Sequence, residues 1–197
     1  MIVNSILGLV YIDPPKTGSQ TMDMIFKKLG GYIVEYKWQD KMVDKHQRVL
    51  PKEFKNFKTL ATVRDPYRRA LSFYHYDRKR EINFLDLDMS TFKTYLEGII
   101  EKTSDAPADT NDMAVYRHFP QWKYLSTNHI DHVIHLESIR TDLLKAGIRL
   151  KGNRMPKYNR GRYTEKWNDV KTPELIELVN IWAGDDFDLY GYEKETP

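Results

Sequence analysis

The sequence predicts an α/β protein of three layers, with a mainly parallel central sheet and helices on both faces. Two observations carry this. Short apolar runs alternate along the chain with segments of helical period, the order expected of successive β-α-β units. The two most distinctive polar motifs, at residues 13–21 and 64–72, each follow an apolar run and open a helical pattern. Open parallel sheets keep their ligands at such strand-to-helix junctions, beyond the carboxyl ends of the strands. With 197 residues, 41% of them hydrophobic, the chain can bury one core. No low-complexity linker or repeat divides it, so residues 1–197 are expected to form a single domain.

The elements follow in order. Residues 6–13 read as a buried strand. The apolar opening Met1 to Val10 has no basic residue ahead of it and runs directly into the first motif, so it reads as core and not as a secretory leader. Ser19 to Leu29 has helical period and stops at Gly30-Gly31. Tyr32 to Tyr36, Leu60 to Arg64 and Asp131 to Leu136 read as further strands. Pro66 to Arg80, Ser90 to Lys102, Phe119 to Leu125, Ile139 to Ala146 and Pro173 to Ala183 read as helices.

The first motif is Asp13-Pro14-Pro15-Lys16-Thr17-Gly18-Ser19-Gln20-Thr21. The first turn of a helix carries unpaired N–H groups and the positive end of the helix dipole, so an anion placed there is stabilised. Gly18 lets the backbone approach an anion, Lys16 adds a point charge, and the hydroxyls of Thr17, Ser19 and Thr21 are candidate donors. The order differs from the nucleotide loop G-x-x-x-x-G-K-[ST], because the lysine here precedes the glycine. The second motif is Arg64-Asp65-Pro66-Tyr67-Arg68-Arg69-Ala70-Leu71-Ser72. Pro66 suits a first helical position. Arg64 then stands at the strand end with Ser72 about two turns into the helix, where a guanidinium and a hydroxyl could share a phosphate.

Together the two motifs resemble the sulfotransferases that use 3′-phosphoadenosine 5′-phosphosulfate, particularly their carbohydrate-type branch. In that family a loop P-K-[TSA]-G-[TS]-x-[ST] holds the 5′-phosphosulfate, and R-[DN]-P-x-x-R-x-x-S holds the 3′-phosphate. Pro15 to Thr21 and Arg64 to Ser72 match these patterns. Gln121-Trp122-Lys123-Tyr124-Leu125, the stretch ending in Glu137, Asn159-Arg160, and the closing Asp186 to Tyr192 are similar to later parts of the family. The resemblance thus spans nearly the whole chain and implies a P-loop nucleotide-hydrolase-like sulfotransferase fold. It implies cofactor contacts from Lys16, Thr17, Gly18, Ser19, Gln20 and Thr21, from Arg64 and Ser72, and from Asn159, Arg160 and Gly161 in a late basic loop.

Sulfuryl transfer to an alcohol asks for a base, a charge stabiliser and alignment. Lys16 is the expected stabiliser of the leaving phosphate oxygen. His46, upstream of the Arg64 strand, is placed where related carbohydrate sulfotransferases carry a histidine base. Glu35 is the reserve base, after another branch that uses a glutamate. His75 lies nearer the cofactor motif but reads as a packing or pairing residue, and His118, His129, His132 and His135 have weaker claims. The acceptor expected by resemblance is a small molecule or a glycan, through a hydroxyl or an amine.

Composition bounds the remaining choices. A net charge of +3 is mild for a nucleic-acid binder, and no nucleic-acid partner is expected. Zero cysteines exclude disulfides and thiolate metal sites. No paired ligand spacing recurs among the acids and histidines, so no metal is expected. No run approaches the roughly 20 apolar residues that span a bilayer. With no leader and no cysteine, the expected location is cytoplasmic. Two other readings stay open on the residues alone. One is a small ATP-dependent phosphotransferase, against which stand the displaced lysine and the missing acidic Mg²⁺ ligand. The other is a non-catalytic polyanion-binding module, which the basic clusters at 64–80 and 151–166 would suit.

Overall fold

A computed structural model describes residues 1–33, 37–38, 41–42, 50–83, 85–150 and 165–197. In chain order its elements are β1 (Ile2–Asn4), β2 (Leu9–Ile12), α1 (Ser19–Lys28), β3 (Tyr32–Ile33), β4 (Lys37–Trp38), β5 (Lys41–Met42), β6 (Lys58–Val63), α2 (Pro66–Arg80), α3 (Phe92–Thr103), α4 (Met113–Tyr116), α5 (Gln121–Leu125), β7 (His132–His135), α6 (Ile139–Lys145), α7 (Trp167–Val170), α8 (Pro173–Ala183) and α9 (Asp186–Tyr190). Short 3₁₀ turns lie at Lys52–Phe54 and Leu136–Ser138. The chain divides into two compact units, Met1–Val63 with Thr127–Arg160 and Arg64–Ser126 with Gly161–Pro197.

The first unit is built on a five-stranded sheet in the order β3-β1-β2-β6-β7. β2, β6 and β7 are parallel neighbours, while β1 runs antiparallel to both β2 and β3. The sheet is therefore mainly parallel, with β1 the reversed strand. Alternation along the strands puts Ile2, Leu9, Tyr11, Leu60 and Ile134 on one face. There they pack against Met22, Ile25 and Phe26, spaced along one side of α1, and against Leu143 of α6. Met1, Val3 and Val10 form a separate buried cluster with Leu50, Phe54 and Phe57. The β6–β7 register is locked by Thr59, whose N–H and hydroxyl both donate to Asp131 Oδ2, at 2.7 and 2.9 Å.

The second unit is helical. Tyr67, Ala70, Leu71, Phe73 and Tyr74 of α2 meet Tyr95, Leu96 and Ile99 of α3 and Val179, Trp182 and Ala183 of α8 in one core. α2 starts at Asp65, whose carboxylate accepts the Arg68 N–H at 2.8 Å, and Pro66 fills its first position. A buried polar cluster crosses this core. Asp77 accepts the Tyr95 hydroxyl at 2.7 Å and lies 2.9 Å from His118 Nε2, while His118 Nδ1 faces the Ala114 carbonyl at 2.8 Å. Burial, then the nearby Asp77 charge, pushes the Tyr95 hydroxyl well above its ordinary pKa. The C-terminal tail is tied down at Glu195, whose N–H donates to the Tyr67 hydroxyl at 2.7 Å and whose carboxylate accepts from Trp167 and Lys171 at 2.8 Å.

The structure corrects the single strand expected over residues 6–13. Ile2 to Ile12 is a hairpin, with β1 and β2 joined by a turn at residues 5–8. Gly8 takes φ +60, and the Leu7 N–H donates to Asn4 Oδ1 at 3.0 Å. The Asn4 amide also reaches the Leu29 carbonyl at the end of α1, at 2.8 Å. Ile6 and Leu7 are exposed in this turn, which is why an unbroken apolar run conceals it. The helix expected from Ser90 begins at Phe92, behind a Thr91–Thr94 capping box. The helix expected from Phe119 begins at Gln121, behind Pro120.

Candidate active site

In the first unit the chain leaves β2 after Ile12 and reaches α1 at Ser19. Between them Lys16 has φ +69 and Gly18 has φ +96, two left-handed residues on either side of Thr17. Alternating conformations of this kind turn successive N–H groups toward one side and make a concavity suited to an anion. Gly18 is required by its φ, and a Cβ there would also have to push aside the tip of the Leu136 side chain from the turn after β7. No side chain caps the N-terminus of α1, and its first turn carries no acid, whereas Lys27 and Lys28 stand in its last turn. The first turn of this ten-residue helix thus adds no acid of its own to oppose an anion at its positive end. Lys16 and Thr21 are half-buried, Ser19 is buried and Gln20 is exposed.

Thr17 behaves differently from the sequence expectation. Its side chain is fully buried, its hydroxyl donates to the Pro14 carbonyl at 2.7 Å, and it lies 2.9 Å from Thr62 Oγ1 on β6. Thr62 Oγ1 is in turn 2.7 Å from the Tyr11 hydroxyl, which donates to Asp13 Oδ1 at 3.1 Å. Burial, then the Asp13 charge, raises the Tyr11 pKa well above its ordinary value, so the phenol stays protonated in this network. The Thr17 hydroxyl therefore pins the loop to β6, with its proton on the Pro14 carbonyl. A hydroxyl that faces inward and one that faces a ligand look alike in sequence, and Thr62 lies 45 residues away.

β6 is the parallel neighbour of β2, so the chain leaves both strands at the same edge of the sheet. Arg64 directly follows the last residue of β6. Within the second unit its backbone is clasped by Gln121. The Arg64 N–H donates to Gln121 Oε1 at 2.6 Å, and Gln121 Nε2 donates back to the Arg64 carbonyl at 2.9 Å. Ser72 is half-buried on α2, on the same stripe as the exposed Arg68 and the half-buried Tyr76. Nothing in the sequence spacing signalled the Gln121 clasp.

The histidines divide clearly. His118 is buried in the Asp77 cluster and is structural. His75 Nε2 lies 3.4 Å from Glu165, and exposed His129 lies 3.6 Å from Asp131. His132 sits on β7. His135 Nδ1 lies 2.8 Å from Asp142 Oδ2, which also accepts the His135 N–H and the Ser138 hydroxyl. Burial alone would raise the Asp142 carboxyl, but these hydrogen bonds outweigh it and hold the pKa down to about 2. His46, Glu35, Asn159, Arg160 and Gly161 lie outside the described residues.

A family model described as the Sulfotransferase family matches residues 1–193, running through both units. The chain therefore belongs to the sulfotransferase family. It is a sulfotransferase, an enzyme that moves a sulfuryl group from a donor to an acceptor. No curated protein and no solved structure matches it. Among the described residues no helix is long and apolar enough to cross a membrane, and no group of three or more His, Asp or Glu is arranged to hold a metal ion.

Proposed function

We propose that this sulfotransferase takes its sulfuryl group from 3′-phosphoadenosine 5′-phosphosulfate and passes it to a hydroxyl, or an amine, with a carbohydrate as the expected acceptor. We read the chain as one catalytic domain of the three-layer, P-loop-like α/β class. The observation that carries this reading is the loop between β2 and α1, with Lys16 and Gly18 both left-handed before a helix N-terminus that has neither a side-chain cap nor an acid in its first turn. Such a loop suits a phosphosulfate group through its N–H groups and the Lys16 charge.

The donor, when bound, supplies an activated sulfuryl group whose bond to the 5′-phosphate oxygen breaks as a bond from the acceptor oxygen to sulfur forms. Lys16 neutralises the charge that grows on that phosphate oxygen, an interaction stronger in the transition state than before it. Gly18, Ser19, Gln20 and Thr21 offer the first-turn groups of α1, with Thr17 contributing its N–H. By the family resemblance Arg64 and Ser72 take the 3′-phosphate, joined by Asn159, Arg160 and Gly161. His46 accepts the acceptor's proton, with Glu35 as the reserve base. No residue in this scheme calls for a metal.

Calorimetric titration tests the donor assignment. Adenosine 3′,5′-bisphosphate should bind far more tightly than ATP. Equal or tighter binding of ATP would move the reading to a phosphotransferase, and indifference to both would leave a polyanion-binding role.

A further inference from the structure

We infer that Gln121 is a positioning residue for Arg64, and that Asp186 holds Gln121 in that task. The inference rests on the proposed use of Arg64 for the 3′-phosphate.

The β6–β7 ladder ends at the pair Val63 and His135, so Arg64 is the first residue beyond the paired strand. At that point the Gln121 side chain does what a neighbouring strand would do. Its amide carbonyl accepts the Arg64 N–H at 2.6 Å and its NH₂ donates to the Arg64 carbonyl at 2.9 Å. Both backbone groups of one residue are thereby held by one side chain, which restricts the φ and ψ of Arg64 and so the direction in which its guanidinium leaves the chain. A primary amide carries a donor and an acceptor at this spacing without a change of protonation.

Gln121 is itself fixed from behind. Its Nε2 also donates to Asp186 Oδ2 at 3.1 Å, its own N–H donates to the same oxygen at 2.9 Å, and the Trp122 N–H donates to Asp186 Oδ1 at 2.6 Å. Gln121 and Asp186 are both fully buried. Burial raises the Asp186 pKa, and the charge of Arg69 and these N–H donors oppose that rise. Arg69, also fully buried, donates to the Phe119 carbonyl at 2.9 Å, with its guanidinium 5.0 Å from the Phe73 ring centroid and 5.1 Å from that of Trp182. The hydrogen-bonded chain Asp186, Gln121, Arg64 thus runs from a buried acid to the backbone of the proposed phosphate ligand. A glutamate at 121 would set a carboxylate against both Asp186 and the Arg64 carbonyl, so the amide is chemically specific.

A double-mutant cycle read by calorimetry with adenosine 3′,5′-bisphosphate tests this, using wild type, Gln121→Met, Arg64→Ala and the pair, with thermal melts to confirm folding. Gln121→Met should weaken binding about tenfold, by returning to Arg64 a freedom that binding must then remove. In the Arg64→Ala background the same change should have almost no further effect. In steady state Gln121→Met should raise KM for the donor with little change in kcat. Gln121→Asn, an amide one methylene too short for the clasp, should behave alike, and it carries the test if the methionine variant does not fold. Wild-type affinity in the Gln121 variants, or effects that multiply independently of Arg64, would overturn the inference. An Arg64→Ala protein that binds as tightly as wild type would instead overturn the phosphate assignment, and the inference with it.

Discussion

Replacing Thr17 with valine keeps the shape of the side chain and removes one hydroxyl. That hydroxyl donates to the Pro14 carbonyl at 2.7 Å and lies 2.9 Å from Thr62 Oγ1, in a residue with no solvent exposure. The substitution leaves the Pro14 carbonyl short of a donor, while Thr62 keeps the Tyr11 hydroxyl at 2.7 Å. A buried polar group left unsatisfied costs about 1–3 kcal/mol, so a loss of about 1–3 kcal/mol in stability is expected. At about 2–4 °C per kcal/mol for a chain of this size, the melting temperature should fall by about 2–12 °C. Thermal denaturation followed by circular dichroism reads this directly, and titration with adenosine 3′,5′-bisphosphate reads the loop. Thr17→Ser keeps the hydroxyl and should recover most of both. A Thr17→Val protein that melts like wild type yet binds the nucleotide poorly would refute the reasoning, because it would make the hydroxyl a ligand and not a pin.

Gly18→Ala should cost about 1–2 kcal/mol through its left-handed φ alone. The added Cβ also presses on the tip of the Leu136 side chain, so Leu136→Ala should restore that part of the loss in melting temperature and in donor binding. His118→Ala takes away the ring nitrogen 2.9 Å from Asp77 Oδ2 in a fully buried site, and the loss of this buried hydrogen bond is expected to cost about 1–3 kcal/mol, which denaturant titration will show. Asp142 has its folded pKa depressed from 3.8 to about 2, so its contribution is fully present above pH ~4 and is lost as pH falls through about 2. At neutral pH it amounts to about 2 kcal/mol. The stability gap between wild type and Asp142→Asn, measured by urea titration, should therefore close between pH 5 and pH 2.

Much of the fold was legible because local chemistry and tertiary context agree. Pro66 and Pro173 open helices α2 and α8 at their expected first positions, with Asp65 and Thr172 as side-chain caps. The parallel strands β6 and β7 showed as short apolar or alternating runs. The hairpin did not, because Ile6 and Leu7 are apolar residues in an exposed turn and only Asn4 and Gly8 marked it. In the candidate site, the positions of Lys16 and Gly18 could be read from residue order alone. The orientation of Thr17 could not, since it depends on Thr62 across the sheet. Gln121 and Asp186 were invisible as a support for Arg64 because their partners lie 57 and 65 residues away, and hydrogen-bond pairing at that separation leaves no period in a single sequence.

Transfer of label from ³⁵S-labelled donor, with glycans, phenols and amines offered as acceptors, reads sulfuryl transfer and the part of Lys16 in it. Label should enter one acceptor class in wild type, and Lys16→Ala should lose several orders of magnitude in transfer rate while retaining its fold and most of its affinity for adenosine 3′,5′-bisphosphate. Undiminished transfer by a folded Lys16→Ala protein, or phosphate transfer from ATP in place of sulfate transfer, would contradict the account.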